Sequence, residues 1–516
     1  MKKCRLNYCN REYEINAGTL LSEFILKNGI NSEMPCGGTG LCGKCRVKFL
    51  YGATRITAAD RKHLTEKELE EGVRLACRAI ITEDAGFIML SGKKEEGILF
   101  SGIEEKEVPS GEADVALDIG TTTIAAAFLQ KGKDGKNDVV LKRTIMNHQR
   151  MLGADVISRI QAANSGKGEE LRRFVSDDIK RLTEGFLVKR LIIAGNTTML
   201  HILTGDSCEG LGRAPYTPKR LSYPDYSLRD LLIEELVSNT KCEIFSGISA
   251  FVGADIVSGM YSLSFDSIPE GKRYMLIDLG TNGEMALADS TRISVCSTAA
   301  GPVFEGGGIS CGMPGVKGAI EHITLNKRDI IRELSVIGDD EPVGICGSGV
   351  LELVSELKRV DLIDDTGLLK DQFFDKGVPL YSRNESGGSE KDIFFTQDDI
   401  RAVQLAKAAI RSGIDTLLKS HGCGPGDIDE VYLAGGFSEH LDMEKVKYLS
   451  IVPKEFIDKG ICRCVGNTSL KGCEMALSDC DYREKMNSIL KKSTEVKLAE
   501  TDMFGEAFLK AMNFEE

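Results

Sequence analysis

Apolar residues in this chain fall into short runs of strand length, each closed by a turn of small and polar residues. Val115 to Leu117 lead into Asp118-Ile119-Gly120-Thr121-Thr122-Thr123, and Ile124 to Leu129 lead away again. That pattern predicts two strands joined by a tight turn. It returns 160 residues later, as Met275 to Ile277, then Asp278-Leu279-Gly280-Thr281-Asn282-Gly283-Glu284, then Met285 to Leu287. Leu191 to Ala194 closes in Gly195-Asn196-Thr197-Thr198 before an apolar helix pattern, and Val431 to Ala434 closes in Gly435-Gly436-Phe437-Ser438.

The first ninety residues have a different texture. Cys4 to Tyr8 and Glu12 to Ile15 predict a hairpin, and Gly18 to Lys27 carries helical spacing with Thr19 as N-cap and Leu21, Phe24 and Ile25 as its apolar face. A charged, Gly- and Pro-punctuated stretch follows, with one apolar patch at Ile98-Leu99-Phe100. The pattern divides the chain into a small domain at 1–92, a linker at 93–112 and a large body at 113–516, whose two lobes meet near 265–275. The tail from Ser488 to Glu516 reads as one or two amphipathic helices.

The two echoing turns carry chemistry. Glycine lets the backbone turn and approach a ligand closely. Threonine hydroxyls and turn N–H groups are the donors that an anionic phosphate needs. An aspartate at the strand end, Asp118 or Asp278, suits Mg²⁺ held through waters, because Mg²⁺ sheds its hydration shell reluctantly. A single such turn is equally an ordinary hairpin; two of them suit the clamping of one phosphate chain from both sides.

Further Gly-rich segments admit two readings each. Asp255, in Phe251-Val252-Gly253-Ala254-Asp255, either orients an attacking water as a proton acceptor or is a helix N-terminal acid facing the dipole. Gly301, in the Ser297 to Gly308 loop, and Gly347-Ser348, ahead of the helix pattern from Leu351, lie beside a phosphate or ribose or are packing turns. Asn196 belongs to a connection between lobes or is a helix cap. His148, Gly153 and Asp155 enter a cleft or open a helix.

Composition narrows the class. Net charge is −13, from 78 acidic and 65 basic residues, which argues against nonspecific nucleic-acid binding. Trp is absent, so stacking platforms for single strands are not evident. No apolar run approaches the roughly 18 residues of a membrane span, and Met1 to Asn7 lacks an apolar signal core. The expectation is a soluble cytoplasmic protein with no nucleic-acid and no membrane partner.

Sixteen cysteines then point to metal ligands and buried thiols. Cys36, Cys42 and Cys45 crowd one glycine-rich loop with C-x5-C-x2-C spacing, and Cys77 follows from a separate strand. Zinc loops usually pair their cysteines as separate knuckles. The arrangement resembles the 2Fe–2S ferredoxin domain, a β-grasp α+β fold, whose plant-type spacing is C-x4-C-x2-C. The extra residue resembles the adrenodoxin-like variant. Cys4 and Cys9 lie outside the pattern and are read as structural. Cys462, Cys464, Cys473 and Cys480 match no ligand spacing, and structural thiols are the expectation.

The body resembles the actin, sugar kinase and Hsp70 superfamily of ATPases, with a duplicated α/β, ribonuclease H-like fold. The resemblance makes Asp118 to Thr123 the phosphate-1 motif, Asp278 to Glu284 the phosphate-2 motif and Val431 to Ser438 the adenosine motif. It implies ATP with Mg²⁺ held by Gly120, Thr121, Thr122, Thr123, Gly280, Thr281, Asn282, Gly301, Gly347, Ser348, Gly435, Gly436 and Phe437. Asp118, Asp255 and Asp278 become the catalytic acids, and Cys36, Cys42, Cys45 and Cys77 the cluster ligands.

A ferredoxin loop ahead of this ATPase is similar to the reductive activators of corrinoid proteins, over nearly the whole chain. Ala299-Ala300-Gly301-Pro302 to Gly306 and Gly344 to Gly349 are also of that family's type. The resemblance implies ATP-dependent reduction of cob(II)alamin to cob(I)alamin on a corrinoid methyl-transfer protein, an external low-potential electron donor and a homodimer. Larger members carry a further domain between ferredoxin and ATPase; here about twenty linker residues serve, at ~3.3 Å each when extended. Two rival readings are an ATP-dependent activator of a radical dehydratase and a redox-sensing ATPase. The dehydratase activators hold their cluster between subunits by body cysteines, and no peptide-binding domain is visible for a chaperone.

Overall fold

Strand-length apolar runs in the N-terminal region build a mixed five-stranded sheet. The computed structural model describes every residue except 1, 10, 29, 31–33, 35, 37, 91–98, 102–108, 133–134, 136, 232–239, 327–329, 340, 382–391, 437, 439–440 and 515–516. The hairpin of Lys3–Tyr8 and Arg11–Asn16 lies at one edge, and Ala85–Met89, Arg46–Tyr51 and Val73–Leu75 complete the sheet in that order. The helix Leu21–Lys27 buries Leu21, Phe24, Ile25 and Leu26, and the Phe24 ring meets Phe87 of the sheet edge-on at 6.3 Å. Thr19 is not its cap. Thr19–Leu20 pairs antiparallel with Ile80–Ile81, and the Thr19 hydroxyl donates back to the Asn16 carbonyl. A ladder contact sixty residues away overrides the local capping preference. Most of the linker falls outside the described residues, but Leu99–Ser101 forms an edge strand against the strand Asn137–Met146.

The chain divides into two units, Met1–Ile244 and Phe245–Glu516. In the first, a second sheet has seven strands, in the order Tyr226–Ser227, Lys241–Ile244, Phe186–Gly195, Gly111–Ile119, Thr123–Lys131, Asn137–Met146, Leu99–Ser101. Val115, Ala116, Leu117 and Ile119 are buried, as are Ile124 and Ala126 to Phe128. Continuous burial of this kind is the mark of strands covered on both faces. The helix Gly168–Thr183 turns Leu171, Val175, Ile179 and Leu182 inward.

In the second unit the six-stranded sheet runs Cys462–Gly466, Glu430–Ala434, Tyr274–Leu279, Gly283–Ala288, Ile293–Thr298, Ser493–Glu495. Its first five strands repeat the order and directions of five strands in the first unit: two parallel neighbours, then a central strand, then two antiparallel turns. The body is a duplicated α/β fold. In each copy the central strand carries the aspartate at its end, and the parallel partners require crossovers that bring helices onto the sheet.

The tail has a structural task. The helix Asp502–Ala511 packs along the helix Gln397–Ser420. Gln404 donates to the Met512 carbonyl at 2.7 Å, Lys407 to that of Asn513 and Lys358 to that of Phe514. Phe514 is buried, with the Lys407 ammonium 5.6 Å from its ring centre. Phe514→Ala is expected to cost the second unit about 3 kcal/mol, read as a lowered urea midpoint by circular dichroism with the visible spectrum of the N-terminal domain unchanged.

Candidate functional site

The cysteine loop brings four thiols together two by two. Cys42 Sγ donates to Cys36 Sγ at 3.3 Å, and the Cys77 thiol donates to Cys45, both of them buried. Burial raises Cys36, but donation from Thr39, Cys42 and backbone N–H groups outweighs it and brings the thiol down to about 6. Its partner Cys42 is pushed up by burial. Cys45 is lowered by the bond from Cys77, and Cys77 is raised by it and by burial. Each pair therefore holds one sulfur ready to be a thiolate, the form that binds metal. The loop reaches this shape through left-handed glycines: Gly43 has φ +65°, and a Cβ there would stand 2.7 Å from His63 Cβ. Cys4 is buried, whereas Cys9 is exposed and not a core thiol.

The turn after Asp118 is gripped from behind. Asn147 Nδ2 donates to the Gly120 carbonyl at 2.8 Å, the Asn147 N–H to that of Thr122 at 2.9 Å, and Arg159 Nη2 to that of Thr121 at 2.5 Å. Asn196 Nδ2 donates to Thr121 Oγ1 at 3.0 Å. Because a peptide's C=O and the next N–H point oppositely, carbonyls drawn inward leave the N–H groups of Thr121, Thr122 and Thr123 on the other side, as an anion nest requires. Arg159 is fully buried and also donates to the Gly153 carbonyl at 2.9 Å. Asn147 and Arg159 carry no local motif and were invisible in the sequence. Asn196 is the helix cap of its second reading: its side chain caps the helix Thr197–Thr204 through Met199 N–H.

In the second unit Asp278 lies directly opposite Glu284 in the antiparallel register. Glu284 is enclosed; burial, then Asp255 and then Asp278, push its carboxyl well above the usual range, against a bond from Asn282. The Thr281 N–H donates to Glu305 Oε1 at 3.1 Å, and the Gly301 N–H to the Thr281 carbonyl at 2.9 Å. Gly435 follows the parallel neighbour Glu430–Ala434 with φ +111°, and a Cβ there would stand 2.9 Å from the Leu279 carbonyl and 3.5 Å from Asp278 Oδ1. Gly280, Thr281, Asn282, Gly301 and Gly435 thus surround the Asp278 turn, and Gly436 opens beyond it with no atom within 4 Å of a Cβ. Phe437 lies outside the described residues. Asp255 stands in the first turn of the helix Ala254–Ser262 and accepts from Ile256 N–H at 2.9 Å.

The remaining candidates serve structure. Gly347 and Ser348 open the helix Gly347–Arg359, but both are buried: a Cβ on Gly347 would strike the Phe304 carbonyl, and Ser348 Oγ pairs with Cys346 Sγ at 3.2 Å. Asp155 caps the helix Val156–Ala162 with Ser158 in a reciprocal box, and His148 Nδ1 bonds Asp178 Oδ1 at 2.6 Å. Cys462 and Cys464 share an edge strand, Cys473 is buried in a helix and Cys480 is exposed. Among the described residues these four form no ligand group. No helix among the described residues is long and apolar enough to cross a membrane.

Two titrations follow. In metal-free protein one loop cysteine, Cys36, is expected to be alkylated with a midpoint near pH 6, because it is a thiolate above that value; Cys36→Ser should remove this phase in a pH series with iodoacetamide and peptide mapping. For Glu284 the folded-state pKa is raised, so unfolding above the ordinary carboxylate range releases a proton and stability falls as pH rises toward the folded value. Glu284→Gln is expected to flatten that slope in denaturation midpoints taken from pH 5 to pH 8 without Mg²⁺.

Known proteins bear on this geometry. A 2Fe-2S iron-sulfur cluster binding domain matches residues 6–82, the middle region of RACo residues 113–267, and the C-terminal, ASKHA domain of RACo residues 272–516. The corrinoid activation enzyme RamQ of Eubacterium limosum is 30% identical over 450 residues, 82% of this chain and 73% of that protein. The [Co(II) methylated amine-specific corrinoid protein] reductase of Methanosarcina barkeri is 24% identical over 438 residues, 78% and 76% of the two chains. A solved reductive activator for a corrinoid, iron-sulfur protein superposes with TM-score 0.70 at 25% identity, covering 99% of this chain and 98% of that one. With a relative this similar spanned over most of its length, the chain belongs to the family of corrinoid activation proteins, the reductive activators of corrinoid proteins.

Proposed function

We propose that the protein reduces cob(II)alamin to cob(I)alamin on a corrinoid methyl-transfer protein, at the expense of ATP. The observation that carries this reading is the two-by-two pairing of Cys36 with Cys42 and of Cys45 with Cys77 ahead of a duplicated nucleotide-type body. Four thiolates in two pairs suit the two irons of a 2Fe–2S cluster, which when bound supplies a one-electron carrier near −400 mV. Loop N–H groups of Leu41, Cys42 and Lys44 bond the Cys36 and Cys42 sulfurs, and burial of Cys45 and Cys77 keeps water from two of the four ligands.

In the first unit the N–H groups of Thr121 to Thr123 suit a phosphate, with Asp118 for Mg²⁺ held through waters; in the second, Gly280, Thr281 and Asn282 suit the same, with Asp278, and the Gly435-Gly436 turn suits the nucleoside. Asp255 orients the attacking water and accepts its proton. An external low-potential donor reloads the cluster domain, and two chains work as a homodimer. The names of the matched relatives, an activation enzyme and a Co(II) reductase of corrinoid proteins, support the substrate class.

The test is an anaerobic cob(II)alamin assay by visible absorbance with candidate corrinoid proteins, a low-potential reductant, and Mg-ATP present or absent. Cob(I)alamin is expected only with ATP, lost in Cys42→Ala, and formed about 100-fold more slowly in Asp255→Asn. ATP hydrolysis without any change at cobalt, for every corrinoid partner tried, would sink the proposal.

A further inference from the structure

The cluster loop of this acidic chain is rimmed by cations. Arg78 follows the ligand Cys77; its guanidinium donates to the Thr39 carbonyl and lies against Gly40, so it is fixed over the loop. Lys44, between two ligands, is exposed. His63 packs on Gly43, and Arg46 donates to the His63 carbonyl at 3.0 Å, which pins the last turn of the helix Ala58–His63 to the loop. That turn presents Arg61 and Lys62, both exposed.

Within the loop and this helix acidic groups do not cancel the rim; the exposed Glu66 and Glu70 belong to the next helix, Glu66–Glu70. Asp60 is 1% exposed and spent on the helix cap, and Glu68 is held by Arg46 at 2.6 Å. Among the described residues of 38–46, 58–63 and 77–79, every exposed charge is therefore positive, on a chain whose net charge is −13. In the middle of the rim Leu41, next to Cys42, is 68% exposed. An apolar contact ringed by one sign of charge is how a short-lived electron-transfer encounter is steered without being made tight.

We propose that this face is the docking site of the electron donor, and that the donor is an acidic one-electron carrier protein. The proposal rests on the reading of Cys36, Cys42, Cys45 and Cys77 as cluster ligands. It assigns the face to the donor and not to the corrinoid protein because the corrinoid partner must sense the nucleotide state of the body, while reloading the cluster needs only this domain. One electron leaves the reduced carrier and one reduces the oxidised cluster; no other reactant is consumed.

The test is stopped-flow bleaching of the cluster in the full-length protein, with two reductants of opposite charge: a reduced, strongly acidic 2Fe–2S ferredoxin, and the methyl viologen radical cation. With the ferredoxin the second-order rate constant is expected to fall about tenfold between low salt and 0.3 M salt, and to rise with salt for the viologen. Arg61→Glu/Lys62→Glu should slow the ferredoxin about tenfold at low salt and not slow the viologen. A rate independent of salt, or a variant slowed only in its delivery of electrons to the corrinoid protein, would overturn the donor assignment. A protein whose visible spectrum shows no cluster would instead overturn the ligand reading beneath it.

Discussion

Two carboxylates set opposite one another on adjacent buried strands govern the second unit. Asp278 and Glu284 are direct partners in the antiparallel register, a position where like charges destabilise a sheet. Asp255 adds a third carboxylate to the field at Glu284. Burial and the two neighbouring acids push the Glu284 carboxyl well above the ordinary range, the direction that relieves such a pair. The first unit shows the contrast. Asp118 faces Ala125 across its hairpin, so there the same strand–turn–strand device carries one acid and no repulsion. Duplication reproduced the backbone; the charge was placed in one copy. The acidic charge is therefore concentrated at the second turn.

That grip depends on residues drawn from far along the chain. Asn147, Arg159 and Asn196 come from three separate segments and converge on four atoms of one turn. A fully buried guanidinium spent on the Thr121 and Gly153 carbonyls is expensive to desolvate, and it holds the turn's N–H groups in one direction before any ligand arrives. The same logic operates in the cysteine loop, where Arg46 and Arg78 bond loop carbonyls. In both places cations behind or beside a turn fix its backbone and leave its donors facing outward.

What was legible in the sequence is what local chemistry encodes. The echo of Asp118 and Asp278 is visible because the same strand–turn–strand device occurs in both units, and the cysteine spacing is visible because one loop and one later strand bring four thiols together two by two. Position 435 could be read because only glycine tolerates φ +111° beside the Leu279 carbonyl. The failures are all long-range. Thr19 had the composition of a cap, but Ile80–Ile81 claimed its backbone. Gly347, read as an anion seat or a packing turn, has a packing reason to be small, since the Phe304 backbone crosses it. Nothing near Arg159 in sequence announces that it holds a turn 38 residues earlier.

An electron carrier gains nothing from ATP unless the acceptor lies uphill, and the proposed acceptor does. For one electron each 59 mV of gap is worth about 1.4 kcal/mol, so a deficit of 100–200 mV amounts to roughly 2–5 kcal/mol. Nucleotide cannot lower the cluster's potential by touching it from another domain; it can only change how well one cobalt state is bound. In the body, Glu284 faces Asp278 inside the sheet. Gly283, the residue before it, packs on Ile410 of the helix Gln397–Ser420, where a Cβ would stand 2.3 Å from Ile410 Cδ1. That helix in turn carries the C-terminal helix along its length, so close packing joins the buried carboxylates to a surface element.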